Sequence, residues 1–338
     1  MRAAQHSRYG SAHEALEIVT DLAIPTPGPG QLLIRNHATS VNPIDSSVRG
    51  GYGAEFWKST GQVVLPHIPG RDIVGTVVEV GTGVSRFAVG DRVWAGTFSG
   101  GSAEYVAIPE SWAARPPRGW SDVEAGSLPY VALTAWAALV DQAGLAPESA
   151  RGKKIIIPRG AGGVGSFAIQ MMKAWGAEVA TIVSTGNIDL VRRLGADTVI
   201  DRTQQEFSEV LHDYDVAFNT SFGIEQPLLH ALKTGADAAY VSIVTPKLQL
   251  MDKHGIEKGQ VMGKELFREM VDSQRALGRR YYWSFMQPNG DALAQITLLA
   301  ETGAIKPVIE RVFPLEKLAE AHELSDTKQV QGKIVIQI

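Results

Sequence analysis

The sequence predicts an α/β protein in which a doubly wound parallel sheet is inserted into a β-rich domain. The length of 338 residues is about twice that of a typical domain. Residues 1–123 show alternating polar and apolar runs between Gly and Pro turns, whereas apolar strands alternate with helical stretches in residues 124–286. Strand patterns return in residues 287–338. We therefore expect one domain to consist of the two outer segments and a second domain to lie between them.

The outer segments contain short runs of period-two alternation, which is typical of antiparallel strands with one buried face. Turn sequences such as Pro27-Gly28-Pro29-Gly30 and Val89-Gly90-Asp91 bound these runs. The predicted strands of the β-rich domain are Gln31–Ala38, Gly75–Val80, Asp91–Trp94, Ala103–Ile108, Val308–Val312 and Lys333–Ile338.

The central segment alternates apolar strands with amphipathic helices, which predicts a parallel sheet of the Rossmann type. Gly163–Trp175 carries apolar residues at helical spacing, and a second helix, Ile188–Leu194, ends at Gly195, a residue that suits a helix C-cap. The stretch Thr245–Gly263 is polar and irregular, which is compatible with a lid or with a surface excursion. The predicted strands are Lys154–Pro158, Glu178–Val183, Thr198–Ile200, Asp215–Asn219, Ala239–Val244 and Tyr281–Met286.

The composition excludes several classes of protein. The formal net charge of −4 gives no basic footprint for nucleic acid. The longest run without charge, Ala125–Val140, is shorter than the about twenty residues that a membrane span requires. The chain has no cysteine, so it cannot form disulfides or thiolate zinc sites. No apolar signal core follows Met1. From these observations we expect a cytoplasmic, metal-free protein with no nucleic-acid or membrane partner.

One glycine-rich motif follows a predicted strand and opens a predicted helix. The run Gly160-Ala161-Gly162-Gly163-Val164-Gly165 satisfies G-x-G-x-x-G. Glycines are needed where the chain turns sharply and its backbone approaches a pyrophosphate, and the helix N-terminus offers N–H groups to that charge. Any tight turn between a strand and a helix can also use glycines. The strand, the helix and the five further strands nevertheless favour dinucleotide binding over a purely structural turn.

The residues after the second strand of this domain indicate which dinucleotide binds. NAD sites usually place an acid there, whereas this chain has Ser184 and Thr185 and no acid before Asp189. Hydroxyls can donate to a 2′-phosphate, and Arg192, Arg193 and Arg202 are nearby cations that can pair with it. The alternative for any single arginine is a solvated surface position. The missing acid and the cations together predict NADPH as the cofactor.

The motifs, in this order along the chain, resemble the medium-chain dehydrogenase/reductase superfamily in its zinc-independent, quinone oxidoreductase-like and enoyl reductase-like branch. The resemblance implies a GroES-like β-barrel catalytic domain around the Rossmann domain. It also implies a homodimer formed through the last Rossmann strand. The matching segments are Val41–Asp45, Pro69–Gly75, Gly101–Tyr105, Leu133–Trp136, Gly160–Gly165 and Leu194–Asp197.

The departures from the zinc-dependent members indicate the chemistry. Zinc alcohol dehydrogenases hold the catalytic metal with a Cys and a G-H-E motif, whereas this chain has Asn42–Asp45 and Gly70–Asp72 in those regions. Without a Lewis acid to activate an alcohol, the resemblance implies hydride transfer from NADPH to a small hydrophobic carbonyl-conjugated substrate (an enone or an enoyl-type acceptor such as an enoyl thioester) or to a quinone. A zinc-free carbonyl reductase and a non-catalytic NADPH-binding protein remain alternatives.

The resemblance also implies site residues. Tyr52 corresponds to a catalytic tyrosine of enoyl-thioester reductases, and the alternative for it is a wall of the substrate pocket. Asn42 would orient the nicotinamide ribose, the substrate or a water molecule, or would serve only as a turn-former before Pro43. We expect structural hydrogen bonds from Asp45 and Asp72. The predicted cofactor-binding residues are Thr134, Gly160, Ala161, Gly162, Gly163, Val164, Gly165, Ser184, Thr185, Arg202, Asn219 and Phe285.

Overall fold

The computed structural model describes residues 1–235 and 238–338, which divide into two compact units. The β-rich unit comprises Met1–Leu133, Gln287–Gly303 and Pro307–Ile338, and the Rossmann unit comprises Thr134–Met286 and Ala304–Lys306. The first boundary between the two units lies after Leu133, later than the boundary after residue 123 that the sequence suggested. The reason is that the helix after residue 121 packs against strands of the β-rich unit.

The elements are numbered in chain order. The strands are β1 (Ala3–His6), β2 (Leu16–Val19), β3 (Gln31–Val41), β4 (Asp72–Val80), β5 (Arg92–Gly96), β6 (Tyr105–Pro109), β7 (Ala113–Ala114), β8 (Lys154–Pro158), β9 (Glu178–Val183), β10 (Thr198–Asp201), β11 (Val216–Asn219), β12 (Ala239–Ser242), β13 (Arg280–Trp283), β14 (Ile309–Pro314) and β15 (Lys333–Gln337). The α-helices are α1 (Ala12–Ala15), α2 (Pro43–Arg49), α3 (Ala54–Ser59), α4 (Asp122–Gly126), α5 (Pro129–Trp136), α6 (Pro147–Ala150), α7 (Gly163–Ala174), α8 (Ile188–Arg193), α9 (Glu225–His230), α10 (Lys247–His254), α11 (Ile256–Arg275), α12 (Gly290–Glu301) and α13 (Leu318–Asp326).

The main sheet of the β-rich unit has the strand order β14-β15-β3-β4-β5-β7, with β6 paired to β3. Its pairs are antiparallel except β14 with β15. Alternate residues of β3 and its neighbours, such as Leu32, Ile34 and Ile108, form the buried core. The predicted strands of this unit are present. The C-terminal segment also contains α12 and α13, two helices that the strand patterns of this segment did not predict.

The Rossmann unit has a six-stranded parallel sheet of order β10-β9-β8-β11-β12-β13. This is the strand order of a dinucleotide-binding fold, in which ligands bind at the carboxyl ends of the strands beside the central crossover. The buried strand residues Ile156, Ala217 and Tyr240 belong to one hydrophobic core. The predicted fold class is confirmed.

The stretch Thr245–Gly263 is not irregular, because it forms α10 and the first part of α11. Gly255, with φ of +82°, separates the two helices. The sequence pattern did not predict these helices, because only a narrow apolar face of α11, including Phe267 and Met270, packs against the core. Most of the other side chains of the two helices are polar, and many of them are exposed.

Gly259 lets α10 and α11 approach closely, and a Gly259→Ala variant is expected to lose stability. A Cβ at this position would lie 2.5 Å from the Met251 Cα, so the helices must separate. Overpacking costs about 1–3 kcal/mol and exceeds the gain in helix propensity of about 1 kcal/mol. Gly263→Ala is the matched control, because its nearest neighbour would lie 3.9 Å away. Urea denaturation should show a lower free energy of unfolding for Gly259→Ala alone. Equal values for the two variants would contradict the close helix contact.

His322 on α13 is buried next to Ser46 of α2, the helix that follows Asn42. Its side chain is 1% exposed, and its Nδ1 lies 3.4 Å from the Ser46 Oγ. Burial lowers the pKa of His322 to about 3, and the nearby Arg49 and His6 act in the same direction. The imidazole is therefore neutral in the folded protein at neutral pH.

This buried histidine is expected to make stability pH-dependent. A histidine in the unfolded chain titrates near pH 6.5, so the unfolded state takes up the proton first as the pH falls from about 6.5 towards 3. Folding stability should thus decrease over that window, by about 2 kcal/mol at pH 5 from this one group. In His322→Gln the difference in unfolding free energy between pH 7.5 and pH 5 should shrink by that amount. His212→Gln, at an exposed position, should leave it unchanged. An unaltered pH dependence in His322→Gln would refute the assignment.

Candidate active site

The glycine-rich loop of the Rossmann unit leads from β8 into α7. A Cβ at Gly160 would lie 2.3 Å from the Thr181 Oγ1 on β9, and a Cβ at Gly165 would lie 2.4 Å from the Arg159 carbonyl oxygen. Only glycine fits these two positions, so the loop can pack tightly against the sheet. The first N–H groups of the 12-residue helix α7 have no intrahelical acceptor. The loop therefore fits the pyrophosphate of a dinucleotide.

Three predicted nucleotide-binding residues follow the carboxyl ends of neighbouring strands. Ser184 and Thr185 follow β9, and Arg202 follows β10 and donates its backbone N–H to the Val183 carbonyl at 2.9 Å. The Arg202 side chain is exposed. The structure thus brings these residues to one edge of the sheet, next to the glycine-rich loop, where a Rossmann fold binds the adenosine ribose.

A carboxylate that the sequence analysis missed lies at the same edge. The Thr185 hydroxyl donates to Asp201 Oδ2 at 2.6 Å and lies 2.9 Å from the Thr203 Oγ1. Hydrogen bonds from Thr185 and Thr203 lower the pKa of Asp201, which keeps it anionic. An acid in this position usually follows β9 itself, whereas Asp201 belongs to β10, the next strand along the sheet.

Three further predicted cofactor residues lie elsewhere in the Rossmann unit. Asn219, at the end of β11, is buried; its amide donates to the Tyr240 hydroxyl at 2.7 Å and accepts from the Ser221 N–H at 2.9 Å. Phe285 follows β13 and is 48% exposed, with the Lys247 Nζ 5.4 Å from its ring centroid. Thr134 is buried in α5. The roles of these residues in cofactor binding remain predictions.

In the β-rich unit, Asn42 is held by two buried charged side chains. Its Nδ2 donates to Asp72 Oδ2 at 2.9 Å, and its Oδ1 accepts a hydrogen bond from the Lys333 Nζ. The antiparallel register of β15 and β3 pairs Ile334 with Val41, which places Lys333 opposite Asn42. The side chains of Lys333 and Asp72 are 3% and 0% exposed, and their charged atoms are 3.7 Å apart. Burial lowers the pKa of Lys333, whereas Asp72 and Asp45 oppose that shift.

A second buried ion pair lies beside the first. Arg71 donates to Asp45 Oδ1 at 3.0 Å, and Asp45 Oδ2 accepts the Asn42 backbone N–H at 2.9 Å at the start of α2. The Arg71 guanidinium is 5.5 Å from the Tyr130 ring centroid and 6.0 Å from that of Trp57. The segments that carry the metal ligands in zinc alcohol dehydrogenases thus contribute two carboxylates here, and each carboxylate has a cationic partner.

Tyr52 lies in the turn after α2, in the same unit as Asn42. Its backbone N–H donates to the Ser47 carbonyl at 2.9 Å, and its carbonyl accepts from the Trp57 Nε1 at 3.0 Å. Gly51 and Gly53 adopt positive φ on either side of it, which fixes the course of the turn. The half-buried tyrosine remains a predicted catalytic residue.

The sequence analysis did not single out Lys333 as a partner of Asn42. The available signal was one lysine at the start of the otherwise apolar strand pattern Ile334–Ile336. Among residues 1–235 and 238–338, no group of three or more His, Asp or Glu side chains is arranged to hold a metal ion.

Comparison with known proteins defines the class to which the fold and the nucleotide loop belong. The alcohol dehydrogenase GroES-like domain family matches residues 28–118, and the zinc-binding dehydrogenase family matches residues 194–336. The fold is therefore that of a nicotinamide-dependent dehydrogenase or reductase with a GroES-like domain. The chain belongs to the medium-chain dehydrogenase/reductase superfamily, in its zinc-independent, quinone oxidoreductase-like branch.

Two similar sequences and one similar structure have named activities. The chain is 36% identical to the mitochondrial NAD(P)H oxidoreductase RTN4IP1 of Mus musculus, over 98% of this chain and 87% of the relative. It is 31% identical to the chloroplastic NADPH-dependent alkenal/one oxidoreductase of Arabidopsis thaliana, over 99% and 79%. The quinone oxidoreductase structure from Coxiella burnetii matches with a TM-score of 0.82 and 28% identity, over 100% and 99% of the two chains. The chain is an NAD(P)H-dependent oxidoreductase.

The predicted cytoplasmic location is wrong by this comparison. The RTN4IP1 relatives from Mus musculus, Danio rerio, Bos taurus and Homo sapiens are all named as mitochondrial proteins. As for membranes, none of the helices in the described residues has the length and apolar character needed to cross a bilayer.

Proposed function

We propose that the protein is an NADPH-dependent reductase of enones and quinones that works without a metal ion. The observation that carries this proposal is the pairing of Asp45 with Arg71 and of Asp72 with Lys333. Both carboxylates lie in the segments that bind zinc in alcohol dehydrogenases, and both are already neutralised by buried cations. The named activities of the alkenal/one and quinone oxidoreductase relatives support the same substrate class.

In this proposal NADPH, when bound, supplies the hydride that adds to the β-carbon of the enone. The carbonyl oxygen then gains negative charge, and the α-carbon requires a proton to complete the saturated ketone. The Tyr52 hydroxyl donates a hydrogen bond to that oxygen or relays the α-proton, as a general acid does. Asn42, with its amide fixed at both ends, keeps the start of α2 in place.

The proposal is tested by NADPH oxidation with a panel of enones, quinones and simple aldehydes, combined with elemental analysis. We expect turnover of the enones and quinones by protein that contains no stoichiometric zinc, and no effect of a chelator. Stoichiometric zinc with chelator-sensitive activity would overturn the metal-free mechanism. Turnover of the simple aldehydes alone would instead indicate a carbonyl reductase, and no turnover would indicate a non-catalytic NADPH-binding protein.

The preference for NADPH over NADH is part of the proposal, and Arg202→Ala tests it. Ser184, Thr185 and Arg202 line the strand ends where the 2′-phosphate would bind. Losing one charge-assisted contact costs about 1.5–3 kcal/mol, or roughly ten- to a hundred-fold in affinity. The dissociation constant of NADPH should rise by that factor, and that of NADH should barely change. Arg268→Ala, at an exposed position on α11, is the control. Parallel weakening of both cofactors would show that Arg202 is structural.

We further propose a homodimer that pairs through β13. This strand is the last in the described Rossmann sheet, so one of its edges has no neighbouring strand among residues 1–235 and 238–338. An unpaired edge is a template for a second strand. Light scattering should give twice the chain mass of 36.4 kDa, and a monomer at micromolar concentration would refute the dimer.

A further inference from the structure

Arg159 occupies a backbone position that suits glycine. It links β8 to the glycine-rich loop, and its φ of +53° is in the left-handed region that disfavours L side chains. Two hydrogen bonds fix this conformation: the Arg159 N–H donates to the Ile182 carbonyl at 3.0 Å, and its own carbonyl accepts from the Gly162 N–H at 2.9 Å. Glycine would adopt the same geometry without strain. The chain therefore carries an arginine here at a cost to its stability.

The Arg159 side chain is exposed and forms no salt bridge within the described part of the chain, residues 1–235 and 238–338. The hydrogen bond from the Arg159 backbone N–H to the Ile182 carbonyl places this residue beside the end of β9. Ile182 lies two residues before Ser184 in the chain. The backbone of Arg159 is thus next to both the glycine-rich loop and the predicted 2′-phosphate site. Within residues 1–235 and 238–338, no salt bridge of its side chain offsets the backbone strain.

The charges at this edge of the sheet show why a second arginine is needed. Asp201 is anionic and hydrogen-bonded to Thr185, so it repels a phosphate at the end of β9. Arg202 by itself only balances that charge. Arg159 makes the sum positive, and a guanidinium can bind a phosphate through two parallel hydrogen bonds.

We propose that Arg159 is a specificity-determining residue that binds the 2′-phosphate of NADPH. The inference rests on the proposed function and deepens it. The N–H groups at the start of α7 serve the pyrophosphate, which NADH and NADPH share. Arg159 adds binding free energy only for the cofactor that carries the extra phosphate.

Arg159→Gly tests the proposal without the risk of misfolding, because glycine relieves the strain. The melting temperature of the variant should equal or exceed that of the parent. Its dissociation constant for NADPH, measured by fluorescence titration, should rise by roughly ten- to a hundred-fold, with less than a two-fold change for NADH. The probes 2′,5′-ADP and ADP should separate in the same way. Lys328→Gly is the matched control, since Lys328 is also exposed and has a φ of +58°, and it should bind both cofactors like the parent.

The outcomes distinguish this inference from the proposed function. A parent protein without preference for NADPH would overturn the proposed cofactor and this inference with it. If the parent prefers NADPH and Arg159→Gly keeps that preference, the inference alone is overturned. Equal weakening of NADPH and NADH would assign Arg159 to the pyrophosphate, which also overturns the role in specificity.

Discussion

Replacement of Tyr52 by Phe is expected to lower the turnover of enones by roughly a hundred-fold or more, the scale for a lost acid or oxyanion donor. The substitution keeps the ring and removes only the hydroxyl. The backbone hydrogen bonds of Tyr52 with Ser47 and Trp57 do not involve the hydroxyl, so the turn should keep its course. The dissociation constant of NADPH should stay near the parent value, because the glycine-rich loop and the residues after β9 belong to the Rossmann unit. Stopped-flow measurement of NADPH oxidation gives the chemical step directly.

Quinones should be affected less than enones by the loss of this hydroxyl. A quinone spreads the incoming charge over its ring and can take its proton from water. Tyr9→Phe is the control variant, because the Tyr9 ring lies against the same turn, 3.6 Å from where a Cβ of Gly51 would be. Unchanged enone turnover in Tyr52→Phe would refute the role of the hydroxyl. Equal losses on both substrates, with weakened NADPH binding, would show that Tyr52 shapes the substrate pocket.

Replacement of Lys333 by Met is expected to cost about 3–5 kcal/mol of folding free energy. The substitution keeps the length of the side chain but removes the cation from a site where both Lys333 and Asp72 are almost fully buried. Asp72 would keep its hydrogen bonds from Ser40, Asn42 and the Tyr130 N–H. It would nevertheless be a buried carboxylate whose nearest cation is gone. Urea denaturation at neutral pH measures the loss.

A second substitution separates charge from packing at this site. In the double variant Lys333→Met with Asp72→Asn, the uncompensated charge is removed together with its partner, so much of the lost stability should return. Lys328→Met, an exposed lysine in the same unit, should leave the free energy of unfolding unchanged. A double variant no more stable than Lys333→Met would mean that packing, rather than charge pairing, accounts for the effect.

Much of this protein could be predicted from local sequence patterns. The six Rossmann strands could be predicted because a buried parallel strand is a continuous apolar run, and the glycine-rich loop could be predicted because a phosphate-binding turn requires glycine. The outer segments could be predicted as β structure for a similar reason, since period-two alternation indicates a strand with one buried face. Helices α10 and α11 were missed because their apolar face is narrow and most of their surface is polar.

The sequence by itself determined the fold class, the superfamily and the position of the nucleotide loop. Only the tertiary structure decided which charges meet. Lys333 and Asn42 are far apart in the chain and become neighbours through the register of β15 on β3, and Asp201 reaches Thr185 through the pairing of β10 with β9. Local propensity and periodicity act over a few residues, whereas strand pairing brings distant residues together. The left-handed backbone of Arg159 likewise depends on hydrogen bonds to Ile182 and Gly162, which no spacing in the sequence reveals.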